Sequence, residues 1–260
     1  MSALSARALR PIPEVRAGDD LAAMIIAALD GEPPHGGQVL AIAHTVVSKA
    51  EGAVVALAEV DPSPRARMLA LEQGKDPRVV QVVLDESSEI LRAERGVLVC
   101  RTRHGLVCAN AGVDASNAMP GTVVLLPRDP DASARGIRAR LRELGGRAGA
   151  SGPSGPAAPA VLISDTFGRA WRHGQLDVAI GLAGMQALED WRGRTDAGGL
   201  ELTATWLAVA DAAAAAADLA RSKDSREPVV ILDGLDRFVT AADGPGAAAL
   251  VRPLEEDLFR

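Results

Sequence analysis

The chain has 260 residues, a net charge of −6 and a pI near 5.3. That is long enough to bury a substantial core, and acidic enough to argue against a general polyanion-binding surface. Hydrophobic residues make up 48% but aromatics only 2%, with no Tyr, so the core must be aliphatic and a base-stacking platform for single-stranded nucleic acid is disfavoured.

The N-terminal "MSALSARALRPIPEVRAGDD" lacks the apolar centre of a signal peptide, and no apolar run approaches the roughly 20 residues of a membrane span. A cytoplasmic protein with neither membrane nor nucleic-acid partners is expected. "GDDLAAMIIAALD" predicts a helix with Asp19 or Asp20 as N-cap and Leu21, Ile25, Ala28 and Leu29 as its apolar stripe. After the loop "GEPPHGGQ", the run "VLAIAHTVV" predicts a buried strand that contains His44 and ends at Ser48 and Lys49. Helices are expected over 63–73 and 77–92, the second with Val79, Val80, Val83, Ile90 and Leu91 on its apolar side and Pro77 in its first turn. "GVLVCRTRHGLVCANAG" alternates like a hairpin around "RTRHG"; Cys100 and Cys108 would flank its turn, as reduced core thiols.

"TVVLLP" is the next strand, and "PDASARGIRARLREL" a helix with a basic outer face. The Gly/Pro-rich stretch 145–159 has no periodicity and marks an exposed loop where the chain could divide. Beyond it follow a strand over 160–164, a polar segment, an extended run "GLELTATWLAVAD", an Ala-rich helix through Arg221 and a strand "PVVIL". Helices and strands mix without strict βαβ alternation, which gives an α+β (mixed α/β) class and a single unit over 1–260.

Phosphate-loop, dinucleotide-fold, zinc-ligand and nucleophile-elbow patterns do not occur. Carboxylates at the ends of apolar stretches do. Asp165 stands just past "AVLI" with Thr166 beside it, and Asp114 lies in "CANAGVDASN". Such oxygen donors suit a hard divalent cation that also grips phosphate, or each Asp simply caps a turn. Asn117 is either a ligand contact or an Asx-turn. Lys49 either reaches a phosphate or is solvated, and His44 is either a satisfied core histidine or a ligand. Arg169, Arg172 and His173 form a polar group with Gln175 that is a substrate-orienting set or a surface salt-bridge cluster. "DLARSKDSRE" reads as a solvated helix end.

Several segments together resemble the coenzyme F-420-0:γ-glutamyl ligase family. They are "IPEVRAGDDL", "VVSKAEG", "KDPRVVQVVLDESSEILR", "RTRHGLVCANAGVDASN", "SDTFGRAWRHGQLDVAIGLAG" and "AVADAAAAAADLARSK", in order over roughly residues 9–232. The resemblance implies a GTP-dependent ligase of coenzyme F-420 biosynthesis that adds L-glutamate to coenzyme F-420-0. It also implies two divalent cations, Mg²⁺ or Mn²⁺, with K⁺ as a further candidate, and an intertwined homodimer of two closely associated subdomains. Carried over by position, Ile12, Pro13, Glu14 and Val15 resemble the first nucleotide-contacting stretch. His44, Lys49, Asn117 and Lys223 fall at nucleotide-binding positions, with Lys223 near the second metal. Asp114 and Asp165 resemble metal ligands, and Thr166 a ligand of the second metal. Arg169, Arg172 and His173 lie on the same signature and are candidates for orienting an anionic substrate.

The chain departs from the pattern at three places. His44 and Thr45 stand where many relatives carry Ser or Gln and then Lys, Ser222 replaces a Gly, and Ala53 an Arg. A non-catalytic, nucleotide-binding or regulatory paralogue is the alternative reading. On this resemblance the chain ends near the end of the ligase unit, without the nitroreductase-like domain that some actinobacterial relatives carry.

Overall fold

A computed structural model describes residues 3–9, 12–31, 33–147 and 158–257, with 146 and 147 described in backbone only. In chain order the regular elements are β1 (Ser5–Ala8), α1 (Leu21–Ala27), β2 (Val39–Ala43), α2 (His44–Ala50), β3 (Val54–Ala56), α3 (Pro64–Gln73), α4 (Pro77–Glu86), β4 (Ser87–Glu94), β5 (Val97–Thr102) and β6 (Val107–Ala109). They continue with β7 (Thr122–Val124), α5 (Pro130–Arg147), β8 (Ala160–Arg169), β9 (Arg172–Ala183), β10 (Glu189–Asp190), β11 (Trp206–Leu207), α6 (Val209–Asp218) and β12 (Val229–Asp233). The class is α+β, as expected.

The central sheet has the order β1-β12-β2-β8-β9, with β2 and β8 parallel and every other pair antiparallel. Both faces of its middle strands are covered, so these strands read as continuous apolar runs rather than alternating ones. Leu40 and Ile42 join Val161, Ile163, Val229 and Ile231 in a core with α1 and α5. One residue out of phase, Val39 and Ala41 join Ala160, Leu162, Val230 and Leu232 against Ala210, Ala213, Ala214 and Ala217 of α6. The alanines let α6 lie close on the sheet.

A second, smaller packing unit is inserted between α2 and α5. Its sheets are β4-β5-β6 and β3-β7. Ala66, Ala70, Val80, Val83, Leu98 and Cys100 form its main apolar cluster. Cys100 and Cys108 are register partners across β5 and β6, both buried and both free thiols. Most of the 145–159 segment, the expected dividing loop, lies outside the described residues.

Caps follow the sequence. Asp20 accepts the Ala23 N–H at 3.1 Å to start α1, Ser63 caps α3, and Asp76 caps α4 with Pro77 next to it.

Four expectations are corrected. β2 stops at Ala43, and 44–50 is helix, although β-branched Thr45, Val46 and Val47 continue the strand pattern. α4 ends at Glu86, and Ile90 and Leu91 belong to β4, which pairs with β5. The "GLELTATWLAVAD" run has only the two-residue strand Trp206–Leu207 before α6 begins. β8 runs past Ser164 to Arg169, because β9 folds back on it and satisfies its backbone along the whole polar segment. No helix among the described residues is long and apolar enough to cross a membrane.

Candidate active site

Parallel neighbours open their carboxyl ends at the same edge of a sheet, and ligands of such sheets bind there. Ala43 at the end of β2 is in register with Ser164 of β8. The chain turns directly from β2 into α2, so His44 stands at this edge beside Ser164, Asp165 and Thr166. A cleft of about 700 Å³ opens here, a size typical of small-molecule sites.

Side chains alternate along β8, which sorts its polar residues. Ser164 and Thr166 share one face with Asp177 of β9, the register partner of Thr166. Ser164 Oγ donates to Asp177 Oδ2 at 2.8 Å, and Thr166 Oγ1 donates to Oδ1 at 2.7 Å. Arg221 from beyond α6 forms an ion pair with the same carboxylate and donates to the Pro228 carbonyl at 3.2 Å. Asp177 is 1% exposed. Burial pushes its carboxyl up, but Arg221, the two hydroxyls and Lys223 outweigh that and hold it below the usual carboxylate value.

Asp165 leaves the opposite face of β8. Its Oδ1 accepts the Thr166 N–H at 2.7 Å and lies 3.4 Å from His44 Nε2; His44 Nδ1 is 3.5 Å from Ser48 Oγ. His44 is buried and at the start of α2, not inside a strand. Lys49, also on α2, pairs with Glu14 at 2.6 Å and is therefore not a solvated strand end.

Asp114 arrives from the smaller unit. Asn110, Ala111 and Gly112 take φ of 52°, 53° and 72°, a left-handed run that costs Ala111 about 1–2 kcal/mol. A Cβ at Gly112 would lie 2.6 Å from Leu126. This turn directs the following loop, and Asp114 is then fixed by backbone bonds of 2.8 and 2.9 Å with Val124. Its carboxylate accepts the Ser116 N–H at 2.6 Å and Ser116 Oγ at 2.8 Å. The Asx-type turn is thus made by Asp114, while Asn117 holds a φ of 53°, which asparagine tolerates.

The cleft brings together Ile12, Pro13, Glu14, Val15, His44, Lys49, Asp114, Asn117, Asp165, Thr166 and Lys223. Arg169, Arg172 and His173 are not among its walls. They sit exposed at the tip of the β8–β9 hairpin, where Arg169 Nη2 donates to the His173 carbonyl at 2.5 Å. Asp177, Ser164, Arg221 and Glu227 also line the cleft, and sequence reasoning missed them as site residues. Asp177 had a signal: it is the one acid in the strand "LDVAIGLA", and a lone buried charge needs a partner. The 218–227 segment is no solvated end, since Arg221 pairs inward and Glu227 is buried. Cys108 is a buried free thiol held in its neutral form. Burial, the Asp165 carboxylate and Cys100 push its thiol up to about 12.

The family model described as F420-0:Gamma-glutamyl ligase matches residues 10–234, and the chain belongs to that family. Among individual relatives it is similar to the coenzyme F420:L-glutamate ligase of Methanopyrus kandleri, 46% identical over 100% of both chains. The ligases of the same name from Methanothermobacter thermautotrophicus (46% identical, 96% of each chain) and Halobacterium salinarum (39% identical, 99% of this chain and 96% of the relative) match over nearly their whole length.

Proposed function

We propose that this chain is a coenzyme F420:L-glutamate ligase, which forms a γ-glutamyl amide on coenzyme F-420-0 at the expense of GTP. The observation that carries the reading is convergence. Residues around 12–15, 43–49, 114–120, 164–166, 177 and 221–228 meet in one cleft, in a chain whose relatives of that name align along its length.

Amide formation from a carboxylate in water needs activation. In this reading the terminal carboxylate of the precursor attacks the γ-phosphorus of GTP and GDP leaves. The glutamate amine then attacks the acyl phosphate carbonyl, loses its proton and expels inorganic phosphate. Such transfer depends on positioning and on neutralising charge. Lys49, at the cleft wall beside Glu14, would add positive charge near the phosphates, and Ile12–Val15 and Asn117 would border the nucleotide.

No three His, Cys, Asp or Glu among the described residues group closely enough to hold a metal alone. Asp114 and Asp165 both line the cleft, and Mg²⁺ or Mn²⁺ is commonly held by one or two carboxylates together with substrate phosphates. Asp114 and Asp165 would hold one cation, and Thr166 is the residue expected at a second. When bound, they neutralise phosphate charge. His44, within 3.4 Å of Asp165 Oδ1, would orient that carboxylate and leave Oδ2 to the cleft.

A homodimer belongs to the same proposal. Trp171, Leu200, Trp206 and Leu207 are exposed and supply apolar surface for association, and the hairpin bearing Arg169, Arg172 and His173 projects from the same chain. Light scattering should give twice the 26.8 kDa chain mass, and a monomer would remove this part.

The assay is incubation with GTP, Mn²⁺, L-glutamate and coenzyme F-420-0, followed by mass spectrometry. A product heavier by one glutamyl residue supports the ligase. Nucleotide binding with no such product would instead favour the non-catalytic paralogue.

A further inference from the structure

The geometry points to Asp177 as a positioning residue of the ligation site: its carboxylate takes the Thr166 hydroxyl proton and so makes that oxygen an acceptor for the second cation. The inference rests on the ligase reading above, which puts a cation at Thr166 and gives Asp177 no part.

The direction of the Thr166 hydroxyl is forced by its neighbours. Thr166 Oγ1 lies 2.7 Å from Asp177 Oδ1 and 2.7 Å from Lys223 Nζ. An ammonium can only donate, and an ionised carboxylate can only accept. Burial raises the Asp177 carboxyl, but Arg221, the two hydroxyls and Lys223 lower it by more, so it is ionised at neutral pH. The one hydroxyl hydrogen must therefore go to Asp177. A hydroxyl oxygen keeps two lone pairs. Lys223 takes one, and the other remains for a ligand in the cleft that Thr166 lines.

The carboxylate is itself held in place. Its Oδ2 is engaged by Ser164 Oγ at 2.8 Å and by the Arg221 guanidinium, which also donates to Ser164 Oγ at 3.2 Å. That leaves Oδ1 to Thr166, the register partner of Asp177 across β8 and β9. Asp177 is almost wholly buried, so water does not compete for either oxygen. Partners of this kind, behind a group that binds metal, change metal affinity by about 10–100-fold. Asp177→Asn would reverse the arrangement. Arg221 and Ser164 draw the amide oxygen, and the NH₂ group then faces Thr166. The hydroxyl has to accept from it, and its hydrogen turns away to where it opposes a cation.

The test is a Mn²⁺ titration of chelator-treated protein in excess over β,γ-imido-GTP, with free Mn²⁺ read by electron paramagnetic resonance. The parent should bind two Mn²⁺ per nucleotide, and Thr166→Val should lose the weaker. Asp177→Asn should weaken that same ion by about 10–100-fold and leave the ion at Asp114 and Asp165 as in the parent. Ser164→Ala, which removes a donor to the same carboxylate without touching the Thr166 proton, should keep both. Urea unfolding checks that each variant is folded under the titration conditions. If Asp177→Asn is not, its combination with Arg221→Gln removes both charges of the pair and should show the same selective loss. Two unchanged ions on the folded Asp177 variant would overturn the proposal and leave the ligase reading standing. So would an equal loss in Ser164→Ala, which would trace the effect to packing. A parent that binds fewer than two ions, or a Thr166→Val variant that keeps both, would remove the second-cation site and this inference with it.

Discussion

Asp177→Asn removes one negative charge from the least exposed carboxylate of the cleft while keeping its shape. Three donors converge on Asp177: the Ser164 hydroxyl, the Thr166 hydroxyl and the Arg221 guanidinium. An amide presents one acceptor oxygen, so at least one donor would face an NH₂ group. Arg221, whose side chain is 9% exposed, would also lose its counter-charge. Breaking a buried pair by removing one partner costs about 3–5 kcal/mol, and the lower end applies because Arg221 keeps the Pro228 carbonyl. The expected loss is about 3 kcal/mol in urea unfolding, with an unchanged slope.

The pH dependence has a definite sign. The carboxyl is depressed in the folded state below its usual 3.8, so its stabilisation is complete above that value and is lost as pH falls through the folded value. The gap between parent and variant should therefore stay constant from about pH 7 to about pH 5 and close only in stronger acid. A gap below about 1 kcal/mol at neutral pH, or one already closing near pH 6, would refute Asp177 as the charged anchor.

Three other outcomes are expected. Lys49→Ala should weaken GTP binding by about 1.5–3 kcal/mol in calorimetry. Its effect on apo stability should stay within about 1 kcal/mol, since its partner Glu14 is 66% exposed; the reverse pattern would make Lys49 structural. Asp165→Asn should abolish Mn²⁺-dependent nucleotide binding but unfold near the parent temperature, because the amide oxygen can still accept the Thr166 N–H; a badly destabilised apo protein would make Asp165 a structural cap. Cys100 and Cys108 should resist a disulfide reagent at neutral pH until the protein unfolds, because burial raises both thiols; rapid labelling of the native protein would contradict their packing.

Much of the fold is legible where one physical rule acts alone. "VLAIA" and "AVLI" are apolar on both faces, and both are middle strands. Asp20, Ser63 and Asp76 are capping residues before helical runs, and each caps. Legibility fails where a local pattern meets a tertiary demand. Thr45–Val47 look like strand, yet they form the helix that carries Lys49 to the cleft. The polar residues after Ile163 look like loop, yet β9 pairs with them throughout. The site divides in the same way. Residues marked by long motifs fall in the cleft. Ser164, Asp177 and Arg221 were missed because their meaning lies in a pairing between distant segments, which single-chain spacing does not display. Arg169, Arg172 and His173 share the motif but not the cleft wall, since a hairpin carries them to its tip.

The strand order also bears on how the chain is made. β2 lies between β12 and β8, and among the described residues β1 pairs only with β12. During synthesis from the N-terminus, both early strands must wait for partners encoded much later, and the apolar "VLAIA" waits with two unpaired edges. Exposed edges of this kind are templates for association with other chains. The smaller unit has no such delay, because its three-stranded sheet is built from neighbours in sequence and can form as soon as it emerges. A ribosome-bound fragment ending before β8 should therefore protect 87–109 from protease while leaving 39–43 open to chaperones.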